Sequence, residues 1–480
     1  MNDVLASDAL IQFSELSGYL EQLLNCPAPS KPLVRIERPV PAMNLLGWLS
    51  CQRVSCQRGY SRSYWQDRDK DYQIAGLGRS WTRKLCSRND IEPAFNHARE
   101  LLNCLPNPDA CQCFSYLSFS DDSEQIWSEF GYGVLFLPML DVTETRAGTT
   151  LAINLRAGTE VLWRNSIQQA QELLASVVFQ QSLDNTAFHL TFLEHLPNHT
   201  SWKALMGRAF RSFDSGNLDK VVLSRESTFD VYGELSPWYL MQCWQQANPY
   251  SYNFIFEGDD LKDSNLKGSN QKDGNRQVFL GCSPEKLMKR QGTIITSEAL
   301  AGTSRRGRNE EEDIQLERLL MNDLKNIHEN CLVLDDIRLK LTCFCQTLET
   351  DRSHSILKLK TVQHLRYLIR GVLNEQANDA CLIKALHPTP AVGGTPGAGA
   401  GQFIDQNEPY NRGLYAGACG VLGVERSEFS VAIRSARLTP NQLSLYAGAG
   451  IVKDSDAQEE WQELDNKVTT ILNILNSIQI

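Results

Sequence analysis

The 480-residue sequence contains no C-x-x-C pair among its 14 cysteines, no long apolar run and no excess of positive charge. Each absence argues against a class of protein. Cys111/Cys113 and Cys343/Cys345 are too close together for usual zinc spacing, so the cysteines are expected to be mostly reduced thiols of a cytoplasmic protein. No stretch reaches the roughly 20 apolar residues of a membrane span. The N-terminal MNDVLASDALIQF lacks the basic start and apolar run of a signal peptide. Lys and Arg number 47 against 57 Asp and Glu, a net charge of −10. A nucleic-acid backbone is therefore a poor partner, and an anionic substrate would need a local basic pocket.

The composition, 42% hydrophobic and 22% charged, is that of an ordinary globular protein with enough apolar residues for a sizeable core. Helical spacing of Phe13, Leu16, Leu20 and Leu24 predicts a helix over 3–25, ended by Pro27, Pro29 and Pro32. Residues 33–78 read as strands, 90–105 as helix, 114–137 and 151–155 as strands and 165–178 as helix. Residues 309–345 read as one long helix capped by Asn309, with an acidic first turn suited to the dipole. The polar segment 257–277, flanked by strands 252–256 and 278–281, predicts a hairpin with a long loop. Pro396 to Gly401 reads as a flexible segment without helix or strand. No repeat and no clear linker appears. The irregular mixture predicts an α+β fold, with 1–204 as half of the scaffold, 205–480 as the catalytic region, and one structural domain in total.

Ionisable residues recur at strand ends. Lys220 heads the apolar run Val221-Val222-Leu223. Desolvation there would lower its pKa and make it a usable base, although a strand-end lysine also snorkels to solvent. Glu285 follows Pro284 at the end of an apolar strand. Burial would raise its pKa and make it a proton donor; the ordinary alternative is a surface glutamate. Gly302 and Thr303 offer a backbone N–H and a hydroxyl to an anion, or form a plain turn. In Leu445 to Val452 the glycines allow close approach of a ligand. Ser455, with Gln458, reads as the cap of the following helix. There Glu460, Glu463 and Lys467 share one face beside the apolar stripe Leu464, Val468, Ile471 and Leu475. Such a set suits a hard cation together with an anion, or a solvated face with ordinary ion pairs.

KVVLSR at 220–225, SPE at 283–285, EALAGT at 298–303, HPTPAVGG at 387–394, RGLYAGACG at 412–420, AIRSARL at 432–438, LYAGAGIV at 445–452 and EWQELDNK at 460–467 follow one another across residues 205–475. In this set the chain resembles the chorismate-utilising enzymes. Tyr64-Trp65 and Ala75-Gly76-Leu77-Gly78 are most similar to their menaquinone-pathway isochorismate synthases. The resemblance implies two large, mostly antiparallel sheets facing each other, helices outside, and the site between the sheets. It implies Lys220 as general base and Glu285 as general acid in the reversible conversion of chorismate to isochorismate. Mg²⁺ would sit on Glu329 and Glu463, with Glu460 as a nearby ligand through water or a supporting partner. Some relatives carry an acidic residue where Asn326 stands. Substrate contacts would come from Leu300, Gly302, Thr303, His364, Ala391, Tyr415, Arg434, Gly448 and Lys467, with Ala391 leaving room for an attacking water.

Ala301 stands where aminodeoxychorismate synthases often have a nucleophilic lysine. No glutamine-hydrolysing module is evident, so no amidotransferase subunit is expected. Salicylate synthase, which passes through isochorismate with much the same residues, is the alternative, and a siderophore-pathway isochorismate synthase is a further one. A non-catalytic chorismate-binding homologue would have lost Lys220, Glu285 or a metal glutamate, and all are present. A monomer or homodimer is expected.

Overall fold

The computed structural model describes residues 2–52, 60–121, 127–258, 277–360 and 362–479, with side chains from Ile11 onward. Among these residues two antiparallel sheets of twelve and ten strands dominate. The first runs Leu33–Val40, Gly148–Arg156, Leu140–Thr145, Tyr72–Leu77, Arg62–Gln66, Tyr252–Glu257, Val278–Ser283, Ser435–Leu438, Gln442–Ile451, Lys220–Gly233 and Gly394–Thr395. Phe188–Leu196 also pairs with the Lys220 strand. The second runs Cys345–Thr350, Val362–Leu373, Ile294–Arg305, Lys286–Gln291, Arg426–Val431, Ala418–Leu422, Cys113–Leu117, Gly133–Leu137 and Trp81–Leu85, with Ser355–Lys358 also on Val362–Leu373. Together with eleven α-helices among the described residues, this is the α+β architecture expected. Strands from 33–156 and from 220–451 contribute to both sheets.

Aromatic side chains fill much of the space between the sheets. Phe256 of the first sheet packs on Phe114 and Tyr116 of the second, at 6.2 and 5.1 Å. Trp127 bridges Phe279 and Tyr446, and Tyr446 stacks on Tyr415 at 5.1 Å. Side chains alternate across a strand. Beyond Tyr446, the next two positions on its face are Gly448 and Gly450, opposite Ser224 and Val222. The packed interior therefore stops where side chains stop, and a cleft begins.

The hairpin of Tyr252–Glu257 with Val278–Ser283 is present; of the segment 257–277 predicted as its loop, Glu257 ends the first strand and residues 259–276 lie outside the described residues. Helices Asn2–Leu23, Ile91–Asn103 and Glu160–Ser176 occupy the predicted regions. Four local expectations are corrected. Within the 33–78 stretch read as strands, Leu45–Cys51 is a helix, capped by Asn44, whose side chain accepts from the Gly47 amide. The 309–345 helix is two helices, Glu310–Met321 and Leu324–Thr342. Asn309 caps the first, and Asp323 starts the second by accepting from the amides of Lys325 and Asn326. The helix Ala457–Ile478 is capped by Asp456, which accepts from Gln458 and Glu459; Ser455 instead accepts from the Val452 amide. The Pro396 segment opens a helix, Gly397–Asn407. Its small residues let it pack closely: Ala400 is buried, and a Cβ on Gly394 would lie 2.8 Å from Ala400 Cβ. Among the described residues no helix is long and apolar enough to cross a membrane.

Candidate active site

The cleft lies where Gly448 and Gly450 leave the first sheet bare. Lys220, first residue of its strand, is fully buried, and its Nζ lies 3.0 Å from Glu329 Oε1. Glu329 stands in the second turn of the helix that Asp323 starts, rather than past the middle of one long helix. A Cβ on residue 450 would fall 2.3 Å from Glu329 Oε1 and 3.2 Å from Lys220 Cε, so only glycine admits this pair.

Two more carboxylates reach the cleft from the C-terminal helix, each on a lysine. Glu460 accepts from Lys325 Nζ at 2.9 Å, and Glu463 pairs with Lys467, whose Nζ also donates to Gly448 O at 2.8 Å. Burial, then the neighbouring Glu463 charge, raises the Glu460 pKa. Burial acts on Glu463 in the same sense but is outweighed by Lys467, Lys325 and Arg434, which hold it below the usual carboxylate range. The three oxygen-donor side chains suit a hard divalent cation. Among the described residues no three metal-ligating side chains stand preassembled, and Mg²⁺ asks only for one or two carboxylates with waters and substrate oxygens.

Glu285 occupies a different environment. It is buried, and burial followed by the charge of Glu298 pushes its carboxyl up to about 8, with Thr389 and Lys220 acting in the opposite sense. It therefore carries its proton at neutral pH. Thr389 Oγ1 donates to Glu285 Oε1 at 3.3 Å.

Arg434, Tyr415, His364 and Thr303 line another side of the cleft. Arg434 lines the cleft with φ of +50°, in the left-handed region, where its carbonyl accepts from the Cys282 amide at 2.9 Å. Such strain costs about 1–3 kcal/mol and concentrates at functional sites. Its guanidinium makes no ion pair among the described residues and is free for a carboxylate. Tyr415 OH would meet a Cβ on Gly448 at 2.8 Å, so that glycine is also required. His364 Nδ1 and Thr303 Oγ1 are 2.9 Å apart. Burial, then Arg434 and Lys467, lowers the imidazole to about 3, so it stays neutral. Gly302 adopts φ of +78° against Asn326. Leu300 and Ala391 complete the wall.

Thirteen of the fourteen candidate residues line this one cleft, and Lys220 lies directly behind Glu329. Thr389 and Lys325 were missed. The Asn322-Asp323 break, a helix-start signal, places Lys325 on the first turn facing Glu460. Nothing local to the sequence singles out Thr389 from the motif that holds it. Glu298, whose role the sequence leaves open, points away from the cleft lining into a buried pair with Arg68.

A family model described as "chorismate binding enzyme" matches residues 20–476. The chain is 34% identical over 467 residues to the isochorismate synthase MenF of Escherichia coli (strain K12), covering 96% of this chain and 99% of the relative. A salicylate biosynthesis isochorismate synthase of Pseudomonas aeruginosa is 35% identical over 278 residues, 58% of this chain and 55% of the relative. Among solved structures, the menaquinone-specific isochorismate synthase MenF from Escherichia coli is similar with a TM-score of 0.81 at 32% identity, covering 96% of this chain and 99% of that one.

Proposed function

The chain belongs to the chorismate-binding enzymes, and from that premise we propose that it is an isochorismate synthase. The observation that carries the reading is Glu285: a buried carboxyl that holds its proton to about pH 8 in a cleft also served by a buried lysine. Lys220 serves as the base that takes a proton from a water attacking ring carbon 2 of chorismate. Ala391 is small enough to admit that water. The ring double bonds shift, the bond from carbon 4 to its hydroxyl breaks, and Glu285 gives its proton to the departing oxygen, which leaves as water. Lys220 ends as the ammonium and Glu285 as the carboxylate, poised for the reverse reaction.

Arg434 and Tyr415 hold carboxylate oxygens of the substrate, as a planar guanidinium fork suits. Glu329 and Glu463, with Glu460 beside them, would hold Mg²⁺, which when bound neutralises and fixes the ring carboxylate. Each of the three carboxylates rests on a lysine, so all three can exchange a lysine for the cation. The likeness to MenF over nearly the whole chain supports a place in menaquinone biosynthesis, whereas the match to the salicylate-pathway relative covers little more than half of it. A cytoplasmic enzyme, monomer or homodimer, without an amidotransferase subunit, completes the proposal.

Purified protein incubated with chorismate, with and without Mg²⁺, tests it. Isochorismate in equilibrium with chorismate, formed only with Mg²⁺, is expected. Salicylate and pyruvate from the single protein would replace the reading with salicylate synthase.

A further inference from the structure

The N-terminal half contributes a buried group beneath the acid. Arg68 sits in the turn between strands Arg62–Gln66 and Tyr72–Leu77. That turn is fixed by its neighbour Asp67, which accepts from the Asp71 and Tyr72 amides and from Arg426. Arg68 is buried and holds Glu298 by both carboxylate oxygens, Nη1 to Oε1 at 2.6 Å and Nη2 to Oε2 at 3.0 Å. The same Nη1 donates to the carbonyl of Pro284 at 2.8 Å. Glu298 Oε1 in turn accepts from the amide of Lys286 at 3.0 Å. The peptide units on both sides of Glu285 are thus tied to one ion pair. The Glu285 backbone is pinned as well: its amide donates to Ser283 Oγ at 3.2 Å, and its carbonyl accepts from the Val431 amide at 3.1 Å. Only the carboxyl is left to move.

We propose that the Arg68–Glu298 pair is a positioning unit for the general acid, aiming the Glu285 carboxyl at the departing hydroxyl; this rests on the assignment of Glu285 as that acid. A buried ion pair gives little net stability, because desolvation offsets attraction. Its bidentate geometry, by contrast, fixes the peptide it grips. Its charge acts in the same place. Glu298, on strand Ile294–Arg305, favours the protonated form of Glu285. Lys220 and Thr389 oppose it from the other packed elements, and Tyr415 faces the group from the turn after Arg412.

Two variants separate geometry from charge. R68K keeps both charges but loses the fork. It is expected to lower kcat roughly 10- to 100-fold with KM for chorismate nearly unchanged and the alkaline limb of kcat/KM unmoved, as for a misaimed catalytic group. E298Q removes the negative charge and leaves Arg68 unbalanced. It is expected to lower kcat and to move the alkaline limb down by about one pH unit, since the charge that retains the proton is gone. Circular dichroism and melting identify folded variants, and E285Q is the control. Wild-type kcat in folded R68K, or an unmoved limb in folded E298Q, overturns the proposal. If E298Q does not fold, R68K alone decides; failure of both to fold makes the pair a requirement of the fold and likewise overturns it. Turnover surviving in E285Q would instead remove the acid assignment on which the proposal rests.

Discussion

Glu285 and Glu463 face one cleft as opposites. Glu285 is buried and Glu463 is half-exposed at the cleft edge, and desolvation pushes both toward the neutral form. Glu463 has the Lys467 ammonium in contact and remains an anion. Among the described residues the Glu285 carboxyl has a hydrogen bond only from the Thr389 hydroxyl, with another carboxylate nearby, and keeps its proton. Glu298 sharpens the lesson: it is as deeply buried as Glu285, yet the Arg68 fork outweighs its desolvation and holds its pKa low. Depth alone does not order these three carboxyls: the cation in contact with Glu463 and with Glu298 outweighs desolvation, and Glu285 has none. A cation in contact is not always enough, since at Glu460 burial and the Glu463 charge outweigh Lys325.

The contrast can be broken at its ends. The largest effect is expected from K220A and E285Q, each lowering kcat by roughly 10²–10⁴-fold while chorismate still binds. Calorimetric titration of chorismate beside a turnover assay checks this, and unchanged turnover would remove the residue from the mechanism. Next is stability against pH. The Glu285 contribution is fully present below the ordinary carboxyl value of 4.5 and is lost as pH rises through about 8. E285Q should therefore melt like the wild type at pH 4 and be the more stable protein at pH 9, by at most roughly 3–5 kcal/mol. Coincident denaturation curves at pH 9 would show that the carboxyl ionises without penalty. On the anionic side, E463Q is expected to weaken Mg²⁺ binding by roughly 10- to 100-fold, read by titration with the metal in the presence of chorismate. Smallest is T389V, which removes one hydrogen bond worth about 1 kcal/mol. Because that bond favours the ionised carboxylate, the alkaline limb of its rate profile should rise, and T389S should restore it.

Much of this site was legible because its residues sit in short motifs whose order is distinctive. Lys220, Glu285, Arg434, Glu463 and Lys467 are each named by a few neighbours, and the face shared by Glu460, Glu463 and Lys467 follows from helical spacing alone. The fold class followed from irregular strand and helix periodicity and from the family. What escaped depends on packing. The helix from Gly397 reads in sequence as a flexible segment because glycine disfavours helices in isolation, yet here small residues are what allow close approach. Ser455 and Asp456 are adjacent cap residues, and only the position of Val452 decides between them. Arg68 carries no motif, and its partner lies 230 positions away.

The two halves share their sheets strand by strand. Arg62–Gln66 lies against Tyr252–Glu257, and Cys113–Leu117 against Ala418–Leu422. A chain cut after residue 204 would strip both of those later strands of a neighbour and leave raw sheet edges, which recruit other chains. The motif-bearing portion expressed alone is thus expected to aggregate. During synthesis the early strands must wait for partners made some two hundred residues or more later, so folding is governed by long-range pairing and should be slow.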